Sequence, residues 1–529
     1  MEPLWPYQIR AKEKLRENMR PPLRIRRQIL CAPTGSGKTH IAMSIMQDAA
    51  AKGSTVVFVA DREVLVNQTS QKCFANGINH GVAMADKTFG RSEKIQVASA
   101  QTLERRNFVL SGPIDEESGQ HMARKINLMI IDECHDRREG IWSMARKADY
   151  VIGLSATPLR QGLGELYEKV VNCESTNRLI KDGYLSPLKV VVPVASQIDL
   201  EGLKSSGKEW DKTALGQRTR MIVGDIVPEW ERQTTKHFGG PVKTIVFCAS
   251  VADTINTAEN FQMAGHDFRV VHSKQSSEMN DTIIEDFSYN RFIGLVNCDM
   301  LSRGFDDSSI MCMVDASPLR KSLMKHLQKI GRIMRIDKES GKEFALLIDH
   351  ADNYRSFDYA TQMFWTSGVT DLNDDTLRKS KRVEDKAELE EMSCHECGFV
   401  FGTTKPDACP VCGAAAKRKL GLMVSMPGIL EHIDDVDGSV GVFEGSNRDW
   451  WLEVCAYCVR RHPKNMKQAH REAKGIWYGL NGQGCKWYKF IEDRDDPHPT
   501  VKEILDRRRR HFFASKQHLK YRKIKRVSS

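Results

Sequence analysis

From residue 55 to 350 the chain alternates short apolar, mostly β-branched runs with stretches of helical periodicity. Residues 55–60, 95–99, 128–131 and 151–154 form one series of runs, and 244–248, 269–272, 293–297, 310–314 and 344–348 form a second. Apolar runs separated by helical patterns predict parallel sheets flanked by helices, which makes the expected fold class α/β. Between the series, residues 201–218 are polar, lack a clear period and read as a linker or insertion. Beyond residue 350 the alternation stops. The expected division is 1–190 and 191–360 as two α/β domains, 361–393 as a charged connector, 394–415 as a cysteine-paired unit, 416–447 unassigned, and 448–529 as a helical, aromatic-rich region with a basic end.

Composition adjusts this picture in three places. At 529 residues the chain exceeds what one hydrophobic core holds, in keeping with several units. Its longest apolar runs, such as 56–60 and 190–194, fall far short of the ~20 residues that span a bilayer, and no basic-then-apolar leader opens the chain. The expectation is a cytoplasmic protein with no membrane partner. The net charge of +10 is concentrated: residues 501–529 hold 11 Lys and Arg against 2 acids, leaving 68 against 67 in the first 500. Such a tail attracts a polyanion, with a solvated end as the lesser alternative.

The candidate chemistry begins at Cys31-Ala-Pro-Thr-Gly-Ser-Gly-Lys-Thr39. Ile29 and Leu30 enter this stretch as a strand, and Ile41, Ile45 and Met46 leave it at helical spacing, so the loop opens a helix. Its backbone N–H groups and the positive helix end face phosphates, Lys38 reaches the terminal ones, and Thr39 can ligate Mg2+. Pro33, Thr34, Gly35, Ser36 and Gly37 complete the expected nucleotide cradle, with Ala32 where the pattern usually has its first glycine. Met129-Ile-Ile-Asp-Glu-Cys-His135 follows a strand of the same series. There Asp132 can hold Mg2+ through water, and Glu133 is placed to orient or deprotonate the water that attacks the terminal phosphate.

Together with Gly153-Leu-Ser-Ala-Thr-Pro158, Arg303-Gly-Phe-Asp306 and Gln328-Lys-Ile-Gly-Arg-Ile-Met-Arg335, these segments follow the order and approximate spacing of superfamily 2 helicases. Over residues 4–350 the chain resembles that superfamily, and within it most resembles the RadD-like DNA helicases and bacteriophage-encoded relatives. The resemblance implies two tandem RecA-like domains that bind ATP and Mg2+ between them. It implies that Gln8, in Trp5-Pro-Tyr-Gln8, reads adenine, with a packing staple of the aromatics there as the lesser alternative. Arg62, Ser99, Gln101 and Thr102 become candidate nucleic-acid phosphate contacts, with a helix cap as the alternative for Gln101 and Thr102. Ser155, Thr157 and His135 would couple the two lobes, and Gly304 and Asp306 would approach the nucleotide. Gln328, Arg332 and Arg335 share a helix face and would point into the cleft, where arginines neutralise charge on the phosphoryl group in transfer. His272 fits either a nucleic-acid contact or a packing histidine.

A second cysteine pattern lies beyond the motor. Cys394, Cys397, Cys409 and Cys412 form two CxxC pairs with 11 residues between them, the spacing of a compact Zn2+ ribbon. A third pair, Cys455 and Cys458, falls in a pattern that reads as an amphipathic helix, where structural thiols are the better reading than a metal site. Trp477, Tyr478, Trp487, Tyr488 and Phe490 read as a small core, and Arg507, Arg508, Arg509 and Arg510 as phosphate contacts. The function expected is an ATP-dependent DNA helicase or translocase acting on single-stranded or branched DNA in replication, recombination or repair, alongside proteins of those processes. An ATP-switched binding protein, an RNA helicase and the motor subunit of a restriction or defence complex stand as alternatives.

Overall fold

The structure is a computed structural model describing residues 3–84, 88–105, 111–114, 121–160, 162–193, 205–206, 209–210, 221–223, 225–298, 300–302, 305, 307–319, 322–337, 339–369, 372, 424–426, 430–436, 447–463, 465–481 and 496–506. The first lobe is built on β1 (Arg27–Cys31), β2 (Val56–Ala60), β3 (Gly81–Ala83), β4 (Thr88–Phe89), β5 (Ile95–Ser99), β6 (Leu128–Ile131), β7 (Tyr150–Ser155) and β8 (Lys169–Asn172). They form one sheet in the order β8-β1-β7-β6-β2-β5-β3-β4, parallel apart from the β3–β4 pair. Around it run α1 (Pro6–Met19), α2 (Lys38–Ala51), α3 (Glu63–Ala75), α4 (Ala100–Arg105), α5 (Glu139–Lys147) and α6 (Thr176–Lys181). All five residues of β2 and of β5 are buried, because helices cover both faces of the sheet.

The second lobe repeats the plan with β9 (Leu188–Pro193), β10 (Thr244–Cys248), β11 (Phe268–Val271), β12 (Gly294–Asn297), β13 (Cys312–Ala316), β14 (Ala345–Asp349) and β15 (Leu430–Val436). Their order is β11-β12-β10-β13-β14-β9-β15, and only β15 runs antiparallel to its neighbour. Its helices are α7 (Ile226–Phe238), α8 (Val251–Met263), α9 (Ser277–Ser288), α10 (Leu323–Ile333) and α11 (Asn353–Ser367). Serine begins three of them: the hydroxyls of Ser250, Ser276 and Ser322 accept the N–H three residues on, satisfying a donor the helix itself cannot.

Every run of the two series is a strand, with ends shifted by a residue or two. The differences lie where hydrophobic pattern and sheet membership part. β9 pairs with β14, so the change of lobes falls before Leu188 and not between 190 and 191. A run's apolarity says that it is buried, while its hydrogen-bond partner says in which sheet. β15, with the sequence Leu-Glu-His-Ile-Asp-Asp-Val, lies in the stretch left unassigned; an edge strand has no need of a continuous apolar run, so its acids hid it. Val424–Met426 pairs in parallel with Met221–Val223, tying the same stretch to the segment before α7.

Near the end of the described chain lie two helices, α12 (Asn447–Arg461) and α13 (Met466–Asn481). Trp450, Trp451, Cys455, Cys458 and Trp477 are buried in their joint core, as thiols and aromatics with a structural role would be. Trp450 Nε1 donates to Ser367 Oγ at 3.1 Å, which anchors this unit to α11. Among the described residues no helix is long and apolar enough to cross a membrane.

Candidate active site

The phosphate loop joins β1 to α2 at the carboxyl end of the first sheet. Ala32 N–H donates to Ser155 O at 3.0 Å, so the loop starts locked to the neighbouring β7. Gly35 and Gly37 have φ of 87° and 79°, the left-handed region that glycine enters without strain. Both are also crowded: a Cβ on Gly37 would lie 2.5 Å from Gln8 Nε2, and one on Gly35 would lie 2.9 Å from Arg335 Cγ. Gln8 spends its amide on this loop, accepting Trp5 N–H at 3.0 Å and donating to Ser36 O at 2.9 Å, where Tyr7 OH also donates at 3.0 Å. Trp5, Tyr7 and Tyr184 cluster beside it with ring centroids 4.9 to 5.7 Å apart.

Lys38 opens α2 and places Nζ 3.4 Å from Glu133 Oε1. Glu133 sits just past β6 with φ of 46°, a strained setting for a residue with a side chain. Its backbone is held by two bonds, Glu133 N–H to Asp132 Oδ1 at 3.0 Å and Asp136 N–H to Glu133 O at 2.9 Å, and the next residue by Cys134 N–H to Leu154 O at 3.0 Å. Burial and the adjacent Glu133 charge push the Asp132 carboxyl above its ordinary range, while Lys38 and Arg332 pull the other way. Clustered acids of this kind fit a divalent cation, which phosphoryl-transfer sites hold with one or two carboxylates and the substrate phosphates. Thr39 and Asp132 are the residues that would hold it. Among the described residues no group of three or more His, Cys, Asp or Glu forms a complete metal cage.

A chain of contacts, an ion-pair approach followed by hydrogen bonds, leads from Glu133 across the cleft. His135, fully buried, sets Nδ1 at 3.3 Å from Glu133 Oε2 and 2.9 Å from Ser155 Oγ. Ser155 Oγ accepts Thr157 N–H at 3.0 Å, and Thr157 Oγ1 accepts Gln328 Nε2 at 3.3 Å. Gln328 belongs to α10 of the second lobe, so the acid over the phosphate loop is linked to the facing helix in four contacts. The same helix brings Gly331 against the loop, where a Cβ would meet Thr34 Cβ at 2.5 Å. Arg332 and Arg335 both donate Nη1 to Phe305 O, the latter at 3.4 Å.

Other expected site residues separate. Arg62 reaches the second lobe, donating Nη1 to Met300 O at 3.3 Å, and Gln101 is exposed. Ser99 and Thr102 are buried at 2% and 5% exposure, so in this arrangement their hydroxyls face protein and not solvent. His272 is buried too: its amide takes Gln275 Oε1 and Asn280 Oδ1 as acceptors, the packing reading. Arg303, Gly304 and Asp306, the cysteines 394, 397, 409 and 412, and Arg507 to Arg510 lie outside the described residues. The structure adds Arg160, which donates to His135 O at 3.2 Å, together with Tyr184 and Ser186 of the connector between lobes. For Arg160 the cue was its place directly after the Ser-Ala-Thr-Pro segment; the connector residues carry no pattern of their own.

Comparison with known proteins finds relatives for both lobes. A family model for the res subunit of type III restriction enzymes matches residues 2–160, and a model for the helicase conserved C-terminal domain matches residues 231–337. A 51.5 kDa protein of Lactococcus phage (isolate 7-9) is 26% identical over 332 residues, which are 61% of this chain and 66% of that protein. The putative mitochondrial ATP-dependent helicase irc3 of Schizosaccharomyces pombe is 25% identical over 343 residues, 62% of this chain and 54% of that one. The chain thus spans less than two thirds of these curated relatives. Among solved structures, the fragment of a putative HsdR subunit of a type I restriction enzyme from Vibrio vulnificus YJ016 is 22% identical with a TM-score of 0.49, covering 66% of this chain and 64% of that one.

Proposed function

We propose that this chain, a superfamily 2 helicase by the two domains it carries, is a nucleic-acid-dependent ATPase that couples hydrolysis to movement along DNA. The observation that carries the reading is the seam between lobes, where Gly331, Arg332 and Arg335 of one face the phosphate loop, Asp132 and Glu133 of the other. In this reading Lys38 holds the terminal phosphates and Thr39 and Asp132 hold Mg2+, which supplies charge neutralisation on the phosphates when bound. Glu133 orients the attacking water, and Arg332 and Arg335 leave the Phe305 carbonyl to neutralise charge on the transferring group. The His135–Ser155–Thr157–Gln328 bridge transmits nucleotide state to the second lobe, so that two nucleic-acid grips move relative to each other. Cys394, Cys397, Cys409 and Cys412 hold Zn2+ in a ribbon beyond the motor, and the basic tail adds sequence-independent affinity for phosphates.

DNA is favoured over RNA by the resemblance to RadD-like DNA helicases, with replication, recombination or repair as the setting. ATP hydrolysis measured with single-stranded DNA, duplex, forks and RNA tests the choice: stimulation by DNA is expected, and stimulation by RNA alone overturns it. Metal analysis of the purified chain is expected to find one zinc, and its absence removes the ribbon. A second reading, the motor of a restriction complex, is favoured by the match of residues 2–160 to the res subunit family. Co-purification with a nuclease would select it.

A further inference from the structure

At the end of α10 three successive carbonyls are each taken by a group from elsewhere in the fold. The last carbonyls of a helix have no partner within it. Lys342, 8% exposed, donates its ammonium to Ile333 O at 2.7 Å, and the same group reaches Ile310 O at 2.6 Å and Ser308 O at 3.1 Å. Ser186 takes the next two, with its amide on Met334 O at 2.7 Å and its hydroxyl on Arg335 O at 2.9 Å. Leu185 adds an antiparallel bridge to Arg335. The backbone that bears Arg332 and Arg335 is therefore gripped from β13's approach on one side and from the inter-lobe connector on the other.

The chemistry of Lys342 matches that task. An ammonium has three N–H donors, and three carbonyls surround this one. Burial pulls the Lys342 pKa down to about 7, and the three carbonyls take the place of its water, so the site favours a hydrogen-bond donor over an apolar chain of the same length. Ser308 also matters for what precedes it: three residues earlier, Phe305 O accepts both Arg332 and Arg335. One side chain thus ties together the helix that carries the arginines and the loop that offers their resting acceptor.

We propose that Lys342, assisted by Ser186, is a positioning residue for hydrolysis, holding Arg332 and Arg335 at the height from which they reach a triphosphate on the phosphate loop. The inference rests on the reading of those arginines as the pair that neutralises phosphoryl charge. A lysine that only stabilises the fold would change the amount of folded protein and leave the turnover of each folded molecule alone. A displacement of the arginines would instead lower kcat and leave the phosphate-loop contacts to ATP, which belong to the first lobe, in place.

The test uses the full chain and compares wild type with K342M, K342R, S186A and R332A. Steady-state ATP hydrolysis with saturating single-stranded DNA gives kcat, a fluorescent ATP analogue gives affinity, and thermal melting gives the folded fraction. K342M is expected to lose ~10-fold or more in kcat with nucleotide affinity within about threefold of wild type, as a shift of a fraction of an ångström in a catalytic group would produce. K342R, which keeps charge and donors, should recover a large part of that loss, and S186A should lose about threefold. A folded K342M that turns over like wild type overturns the inference. Should K342M fail to fold, S186A decides: an unchanged kcat there overturns it equally. If R332A keeps wild-type turnover, the reading of the arginines fails whatever Lys342 does; if R332A is inactive and K342M normal, only the positioning role is lost.

Discussion

Replacing Gly331 with alanine separates folding from catalysis in this protein. Gly331 lies inside α10 at an ordinary helical φ, so alanine is sterically acceptable to its own backbone, and helix propensity favours the change by ~1 kcal/mol. The added Cβ would nevertheless stand 2.5 Å from Thr34 Cβ and 2.9 Å from Thr34 Oγ1, where ordinary contact begins at 3.4 Å. Thr34 is in the phosphate loop, whose entry is fixed by Ala32 to Ser155, so relief comes from a retreat of α10 by about 1 Å. That retreat carries Arg332 and Arg335 with it, and a misplacement of this size costs on the order of 100-fold in rate. G331A should therefore melt no lower than wild type and bind a fluorescent ATP analogue with similar affinity, because Lys38, Thr39 and the loop amides all belong to the first lobe. Its DNA-stimulated kcat should fall by about two orders of magnitude. A G331A enzyme that hydrolyses ATP within a factor of about three of wild type would refute the claim that hydrolysis needs this close seam.

Substituting Lys38 with alanine or Glu133 with glutamine should each lower turnover by ~1,000-fold or more, while E133Q still binds ATP; hydrolysis by E133Q near the wild-type rate would remove Glu133 from its role. Truncation after Asp506 removes a segment with 10 Lys and Arg and no acids, and should weaken DNA binding and flatten its dependence on salt, with an unchanged slope placing the tail away from phosphates. His326 offers a pH test of stability. It is 1% exposed, packs against Phe357 at 5.2 Å between ring centroids, and burial pulls its pKa down to about 4. The unfolded chain then binds a proton that the folded one refuses, so stability is full above about 6.5 and falls by up to ~3 kcal/mol as pH drops toward 4. H326F should lose less stability over that window in denaturant titrations; parallel curves would place the acid sensitivity elsewhere.

The chain's pattern alone determined the two parallel sheets, the loop between β1 and α2, and the order of the chemical segments. These are local facts: a run buried on both faces must be apolar throughout, and a turn that admits a phosphate must be glycine at left-handed positions. The helical reading of Cys455, Cys458 and the tryptophans was legible for the same reason, since one face of a helix repeats at fixed spacing. Sequence placed Ser99 and Thr102 after a strand but could not say that their side chains turn inward, because burial depends on what packs against α4. Nor did it mark β15, whose acids suit an edge, or the true crossing between lobes before Leu188. Tertiary structure alone decided the seam. Gly331 meets Thr34, Arg335 lies over Gly35, and Lys342 and Ser186 grip the carbonyls between them, across separations of up to about 300 residues. No local pattern records such a meeting, since each partner's conformation is satisfied by its own element and only packing fixes the distance between elements.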